Sequence, residues 1–166
     1  MSSILFQDLR ESKALAYSTY SRYNQPNKLQ KKYYNMSYIG SQADKLGEAM
    51  KGLSGLLNEM PRAEGSYASA KESVIQEMRT QRITKSEILF NYLDAQEMNN
   101  KTDIRKDIFD KVQKYTFDDI KKFHEQNIKG KTMTTLVLGK IDGLDMKVLD
   151  QYGTVKVLTL KEVFGY

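Results

Sequence analysis

The spacing of apolar residues changes along the chain, and each change marks a different kind of element. Segments 15–23 and 33–40 alternate apolar or aromatic residues with polar ones, a pattern typical of half-buried strands. Between them, Asn24, Pro26 and Asn27 form a turn signal. The pattern therefore predicts an antiparallel hairpin with a long polar loop.

From residue 41 to residue 130 the apolar spacing becomes helical. The first run carries apolar residues on one face and stops at Pro61. Further helices are predicted at 66–82, from Thr84, at 103–115, and from Thr116 to Gly130. Thr84 with Glu87, and Thr116 with Asp119, have the spacing of N-terminal capping pairs.

Three glycines, Gly47, Gly52 and Gly55, lie inside the first of these helices. Each weakens a helix by roughly 1 kcal/mol relative to alanine. The alternative is that they allow close packing on a neighbouring helix or sheet, and the sequence leaves both interpretations open.

The last part of the chain returns to strand-like patterns. Segments 133–139 and 154–158 are predicted strands, a helix at 142–152 separates them, and Thr159 caps a final turn. The whole order predicts an α+β fold, a mostly antiparallel sheet with helices packed on one face. A length of 166 residues suits a single domain over 1–166.

The N-terminal stretch contains the most specific signal. Ser2 or Ser3 can cap a short helix whose apolar side includes Leu9, and the helix runs directly into the first strand. Arg10 lies near the helix end and Tyr17 in the strand. The chain can therefore fold back and bring both side chains to one edge of the sheet.

Residues 2–17 read Ser-Ser-Ile-Leu-Phe-Gln-Asp-Leu-Arg-Glu-Ser-Lys-Ala-Leu-Ala-Tyr. This run resembles the substrate-side domains of the pitrilysin/insulysin zinc peptidases, which include mitochondrial processing peptidases. The resemblance implies that Arg10 and Tyr17 bind the substrate backbone and help stabilise charge on the carbonyl oxygen under attack. Ala14 stands where the family often has glycine. If that turn needs a left-handed residue, alanine costs on the order of 1 kcal/mol there.

The zinc site of this family is an inverted His-x-x-Glu-His motif on a helix. This chain has a single histidine, His124, and no cysteine, so it cannot supply the usual three protein ligands. The resemblance therefore implies a non-catalytic, substrate-binding domain with no cofactor of its own. Zinc would belong to the catalytic domain of the parent enzyme. His124 itself is expected on a helix surface, with a metal-ligand role as the remote alternative.

The resemblance also implies that the family domain's first strand and helix are missing here, so that the chain is an N-terminally truncated fragment. An exposed apolar groove and strand edge would then promote self-association. The expected partners are the zinc-bearing catalytic domain and a peptide substrate. The expected location is the bacterial periplasm, or otherwise the cytoplasm. The alternative function is an inactive scaffold or assembly subunit of the same fold.

Composition narrows these alternatives further. The net charge of +5 is dispersed, apart from a basic spot at 28–32, whereas nucleic-acid binding favours a clustered stripe. No apolar run approaches the length of a membrane span. Six tyrosines cluster in the hairpin: Tyr17, Tyr20, Tyr23, Tyr33, Tyr34 and Tyr38. Cross-strand packing and an aromatic wall for an extended peptide are both open interpretations of this cluster.

Overall fold

The computed structural model describes residues 4–26, 28–29 and 31–166, and within them the chain is an α+β protein with a two-stranded antiparallel sheet. A π-helix at Phe6–Ser12 precedes the strands β1 (Ser18–Asn24) and β2 (Tyr34–Gly40). The α-helices that follow are α1 (Leu46–Asn58), α2 (Glu64–Thr80), α3 (Lys85–Glu97), α4 (Arg105–Val112), α5 (Phe117–Asn127), α6 (Met146–Asp150) and α7 (Leu160–Phe164). Short 3₁₀ turns at Ala43–Lys45 and Ile141–Gly143 precede α1 and α6. The predicted cap residues Ser2 and Ser3 and the turn residue Asn27 lie outside the described residues.

The predicted hairpin is confirmed. β1 and β2 pair antiparallel in a register that places Ser18 opposite Gly40 and Tyr20 opposite Tyr38. The rings of Tyr20 and Tyr38 stack with their centroids 5.4 Å apart on the exposed face. On the opposite face, buried Thr19 donates its hydroxyl to the Tyr38 carbonyl at 2.9 Å. Cross-strand packing therefore accounts for this pair of tyrosines.

Threonine caps set the starts of three helices. At α3, the Thr84 hydroxyl accepts from the Glu87 N–H, and the Glu87 carboxylate accepts from the Thr84 N–H. The same reciprocal pair begins α5 and α7, formed by Thr116 with Asp119 and by Thr159 with Glu162. The helix starts predicted at these threonines are confirmed, because each cap satisfies N–H groups that have no partner within the helix.

The predicted strands at 133–139 and 154–158 are wrong. Neither segment pairs with β1 or β2, and within the described residues neither makes a backbone hydrogen bond to another segment. Leu136 and Leu138 are both highly exposed. An alternating pattern favours a half-buried strand. A strand also needs a neighbouring strand whose backbone forms hydrogen bonds with its N–H and C=O groups.

The N-terminal helix is anchored on α1 by a close approach at Gly52. A β-carbon at Gly52 would lie 2.7 Å from Leu9 Cδ2 and 3.5 Å from Leu15 Cδ1. Leu9 is fully buried. The buried apolar residues of the described chain are Leu9, Leu15, Ala49, Met50, Ile75, Phe117 and Leu149. This packing fixes the π-helix that carries Arg10 against α1.

None of the helices within residues 4–26, 28–29 and 31–166 combines the length and the apolar character that crossing a bilayer requires.

Candidate functional site

Arg10 and Tyr17 line the same open cleft, which has a volume of about 280 Å³. The cleft lies where the end of the π-helix, the approach to β1 and the turn after β2 meet. The two side chains singled out by the sequence are therefore brought to one surface, as the spacing of seven positions predicts.

The chain reverses between these two residues through a left-handed turn at Ala14. Ala14 has φ of +51°, and the Leu15 N–H donates to the Leu9 carbonyl at 2.8 Å. This hydrogen bond satisfies one of the carbonyls left without a partner at the helix end. The turn does adopt the left-handed conformation, and the residue there is alanine where the resembling family often has glycine.

Arg10 lies in the last turn of the π-helix, as predicted, and its side chain is exposed. The guanidinium carbon lies 4.5 Å from the centroid of the Phe6 ring, a cation–π contact. No carboxylate among the described residues forms an ion pair with Arg10. A guanidinium held by one face against a ring keeps its N–H edges available to a ligand.

Tyr17 lies directly before β1 rather than inside it, which corrects its predicted position by one residue. Its N–H still donates to the Gly40 carbonyl at 2.8 Å, and its side chain is 65% exposed. The Gln42 side-chain amide donates to the Tyr17 hydroxyl oxygen at 2.6 Å. The phenol therefore accepts one hydrogen bond and keeps its own proton for donation to a ligand.

Ser41, Gln42 and Lys45 complete the polar lining, and sequence reasoning missed all three. Ser41 Oγ is buried and has no hydrogen-bond partner among the described residues. The hairpin register was the signal that could have found Ser41, and Gln42 and Lys45 follow it in the turn after β2. Since Ser18 pairs with Gly40, continuing the register by one residue puts Ser41 opposite Tyr17.

The charges in this cleft are of one sign. Arg10 and Lys45 are cationic, and no aspartate or glutamate among the described residues lines it. Lys45 is half-buried and has no ion pair with a described carboxylate. The arrangement can donate hydrogen bonds to ligand oxygens from a phenol, an amide, a guanidinium and an ammonium group.

A second cleft, of about 290 Å³, is lined in part by Asp94, Asp103 and Arg105. Here the cation is paired, because the Arg105 guanidinium binds the Asp103 carboxylate with two atoms, one contact at 2.8 Å, and Asp94 adds a further negative charge. This side-chain hydrogen bond from Arg105 lowers the pKa of Asp103. The second cleft thus lacks the unpaired cations that distinguish the first.

His124 is buried, 7% exposed, and its expected position on a helix surface is wrong. Its Nε2 lies 2.8 Å from the Leu57 carbonyl in the last turn of α1. Because a carbonyl can only accept, Nε2 carries the proton and His124 joins α5 to the C-terminal end of α1. In the part of the chain that the structure describes, no three His, Cys, Asp or Glu side chains are grouped so that they could hold a metal ion.

Comparisons of the chain with models of protein families, with curated proteins and with solved structures find no match.

Proposed function

We propose that this chain is a non-catalytic, substrate-binding domain of a zinc metalloendopeptidase that resembles the pitrilysin/insulysin family. In this role the cleft of Arg10 and Tyr17 binds the backbone of an extended peptide and completes the chamber in which the peptide is cleaved. One observation carries the proposal: the Arg-x6-Tyr pair in the family-like run lines one cleft with its donors free.

The zinc ion belongs, on this proposal, to a separate catalytic domain of the parent protein. The described residues that line the cleft include no histidine, cysteine, aspartate or glutamate that could bind a metal. This chain's contribution is to bind and orient the peptide, with the catalytic domain and the peptide as its partners. We place the parent protein in a bacterium, in the periplasm or otherwise the cytoplasm.

The chemistry of the two side chains suits this task. An extended peptide presents carbonyl oxygens, which accept hydrogen bonds, and both the phenol and the guanidinium are donors. Since Gln42 donates to the Tyr17 oxygen, it polarises the phenol and strengthens it as a donor. Donors held in place in advance have their largest effect where negative charge develops on a carbonyl oxygen during hydrolysis.

The test is Tyr17→Phe in the parent enzyme, assayed on a fluorogenic peptide. The change removes one hydroxyl and almost no volume, so the fold and the zinc content should stay as they are. A plain hydrogen bond contributes about 1 kcal/mol and a donor to a developing oxyanion about 2.7–4 kcal/mol. We expect kcat/KM to fall by between about fivefold and several hundredfold.

Tyr20→Phe is the matched control, because Tyr20 lies three residues along the chain on the opposite face of the hairpin. It should retain parental kcat/KM. Arg10→Lys keeps the charge but loses the planar fork, so it should also reduce activity. Parental kcat/KM in both Tyr17→Phe and Tyr20→Phe would show that the Arg-Tyr pair is structural.

A further inference from the structure

The cleft of Arg10 and Tyr17 carries more positive charge than a neutral peptide backbone requires. Lys45 shares its wall with Arg10, and within the part of the chain that the structure describes no acidic residue lines it. Glu11 directly follows Arg10 in the sequence, and Asp44 directly precedes Lys45. Both acidic residues are exposed and lie outside the lining of the cleft. The positive charge of the cleft is therefore not compensated within its wall.

We propose that this cleft recognises a carboxylate of the bound peptide, and that Lys45 sets the preference. The inference rests on the proposed function and names the class of peptide that the site selects. A carboxylate has two oxygens and can accept from two cations at once. The guanidinium presents a planar fork, and the ammonium a compact charge with three donors.

Two sources can supply this carboxylate: an acidic side chain within the peptide or the free C-terminus of the peptide. The residues that line the cleft donate hydrogen bonds to carboxylate oxygens from either source. They can distinguish a side-chain carboxylate from a C-terminal carboxylate only by where it lies along the bound peptide. The test therefore includes one arm for each source.

The experiment measures binding of fluorescent peptides to the chain by anisotropy at low salt. The reference is a short extended peptide, acetylated and amidated, with a central glutamine. One comparison peptide replaces this glutamine by glutamate, and another keeps it but has a free C-terminal carboxylate. We expect one of the two carboxylate peptides to bind about three- to tenfold more tightly than the reference, with the advantage shrinking as salt is added.

Variants assign the preference to its residue. Lys45→Gln should remove the advantage of the carboxylate peptide, and Lys45→Arg should restore it. Lys51→Gln is the control, because Lys51 lies on α1 outside the lining and should leave the preference unchanged. An advantage that persists in Lys45→Gln overturns the assignment to Lys45.

The remaining outcomes separate this inference from the proposed function. Equal binding of all three peptides, weakened in each case by Tyr17→Phe, overturns the carboxylate preference while the peptide-binding function stands. Failure of every peptide to bind overturns the proposed function and the inference together.

Discussion

At the scale of single residues, the cleft of Arg10 and Tyr17 depends on a backbone conformation that alanine disfavours. Ala14 occupies the left-handed region, where a β-carbon is close to the following carbonyl oxygen. Without this turn the chain would not reverse between Arg10 and Tyr17. The local backbone energy therefore opposes the geometry that the packing of Leu9 and Leu15 enforces.

Ala14→Gly should consequently stabilise the protein, by about 1 kcal/mol, because glycine adopts positive φ without a steric cost. Urea unfolding followed by circular dichroism measures the change. Ala16→Gly, two residues along, is the control, since Ala16 does not have positive φ. It should lose about 0.5–1 kcal/mol through greater freedom of the unfolded chain. If Ala14→Gly lowered the free energy of unfolding as much as Ala16→Gly, the backbone at Ala14 would not be strained.

His124 shows what residue-level reasoning from sequence lacks. A histidine among polar neighbours near a helix end suggests a solvated side chain, yet this one is buried against the Leu57 carbonyl. The partner is 67 residues away in the sequence. A pattern of neighbouring residues cannot indicate a contact over that sequence separation. The contact is visible only once α5 is packed on α1.

At the scale of elements, the glycines of α1 have different roles. Some allow close packing on a neighbour, and others only weaken the helix. A β-carbon at Gly52 would overlap Leu9 Cδ2 at 2.7 Å, and one at Gly47 would lie 3.3 Å from Val148. Gly55 is exposed and has nothing within 4 Å of the same position. Close packing therefore explains Gly52, whereas Gly55 weakens the helix without a packing gain.

Gly55→Ala should stabilise the chain by roughly 1 kcal/mol, because it raises helix propensity in open space. Gly52→Ala gains the same propensity but forces the fully buried Leu9 to shift, which typically costs about 1–3 kcal/mol. We expect Gly52→Ala to be less stable than Gly55→Ala in chemical denaturation. Equal stabilisation by the two changes would show that Leu9 moves freely.

The capping boxes make helix stability depend on acid. The Thr84 N–H donates to the Glu87 carboxylate and lowers its pKa, and the Thr116 N–H does the same for Asp119. A carboxyl group whose pKa is lower in the folded state stabilises it when ionised. This stabilisation is present above the ordinary carboxyl pKa, about 4, and is lost as pH falls through the folded value. Urea unfolding followed by far-UV circular dichroism measures the free energy of unfolding. On acidification, this free energy should fall less in Glu87→Gln than in the unmodified chain.

Much of this element level is predictable from sequence, and the exceptions share one cause. The hairpin, α1 to α5 and the threonine caps follow from spacing and from hydrogen bonds between neighbours in the chain. Segments 133–139 and 154–158 have an equally good pattern, but no strand of the described residues lies beside them. In the same way, Arg10 and Tyr17 were found from a local run, but Ser41 and Lys45 join them only through the register and the turn after β2.

At the scale of the whole molecule, the chain exposes more surface than its mass predicts. Its accessible surface is 13060 Å² for 19.2 kDa. A compact monomer of this mass exposes about 8,400 Å². Helix α3 illustrates the excess, since Ile88, Leu89, Phe90 and Tyr92 are all exposed. Apolar surface on this scale favours association.

The purified chain should therefore form dimers or larger species, detectable by sedimentation velocity over a range of concentrations. Replacing both Leu136 and Leu138 by serine should weaken association, because these side chains are among the most exposed apolar groups of the described residues. Changing Thr134 and Thr135 to serine, in the same segment, is the matched control and should have little effect. A compact monomer at every concentration would contradict the prediction.

The stacked rings of the hairpin also have an optical consequence. The chain contains 11 tyrosines and no tryptophan, so its absorption near 280 nm comes almost entirely from phenol rings. Tyr20 and Tyr38 lie 5.4 Å apart and Tyr23 and Tyr33 lie 5.9 Å apart, close enough for their transitions to couple. Near-ultraviolet ellipticity, which depends on fixed aromatic packing, should therefore report on the hairpin without an added label. On the proposed function, a rearrangement of the hairpin when a peptide binds beside Tyr17 should therefore appear in the protein's own spectrum.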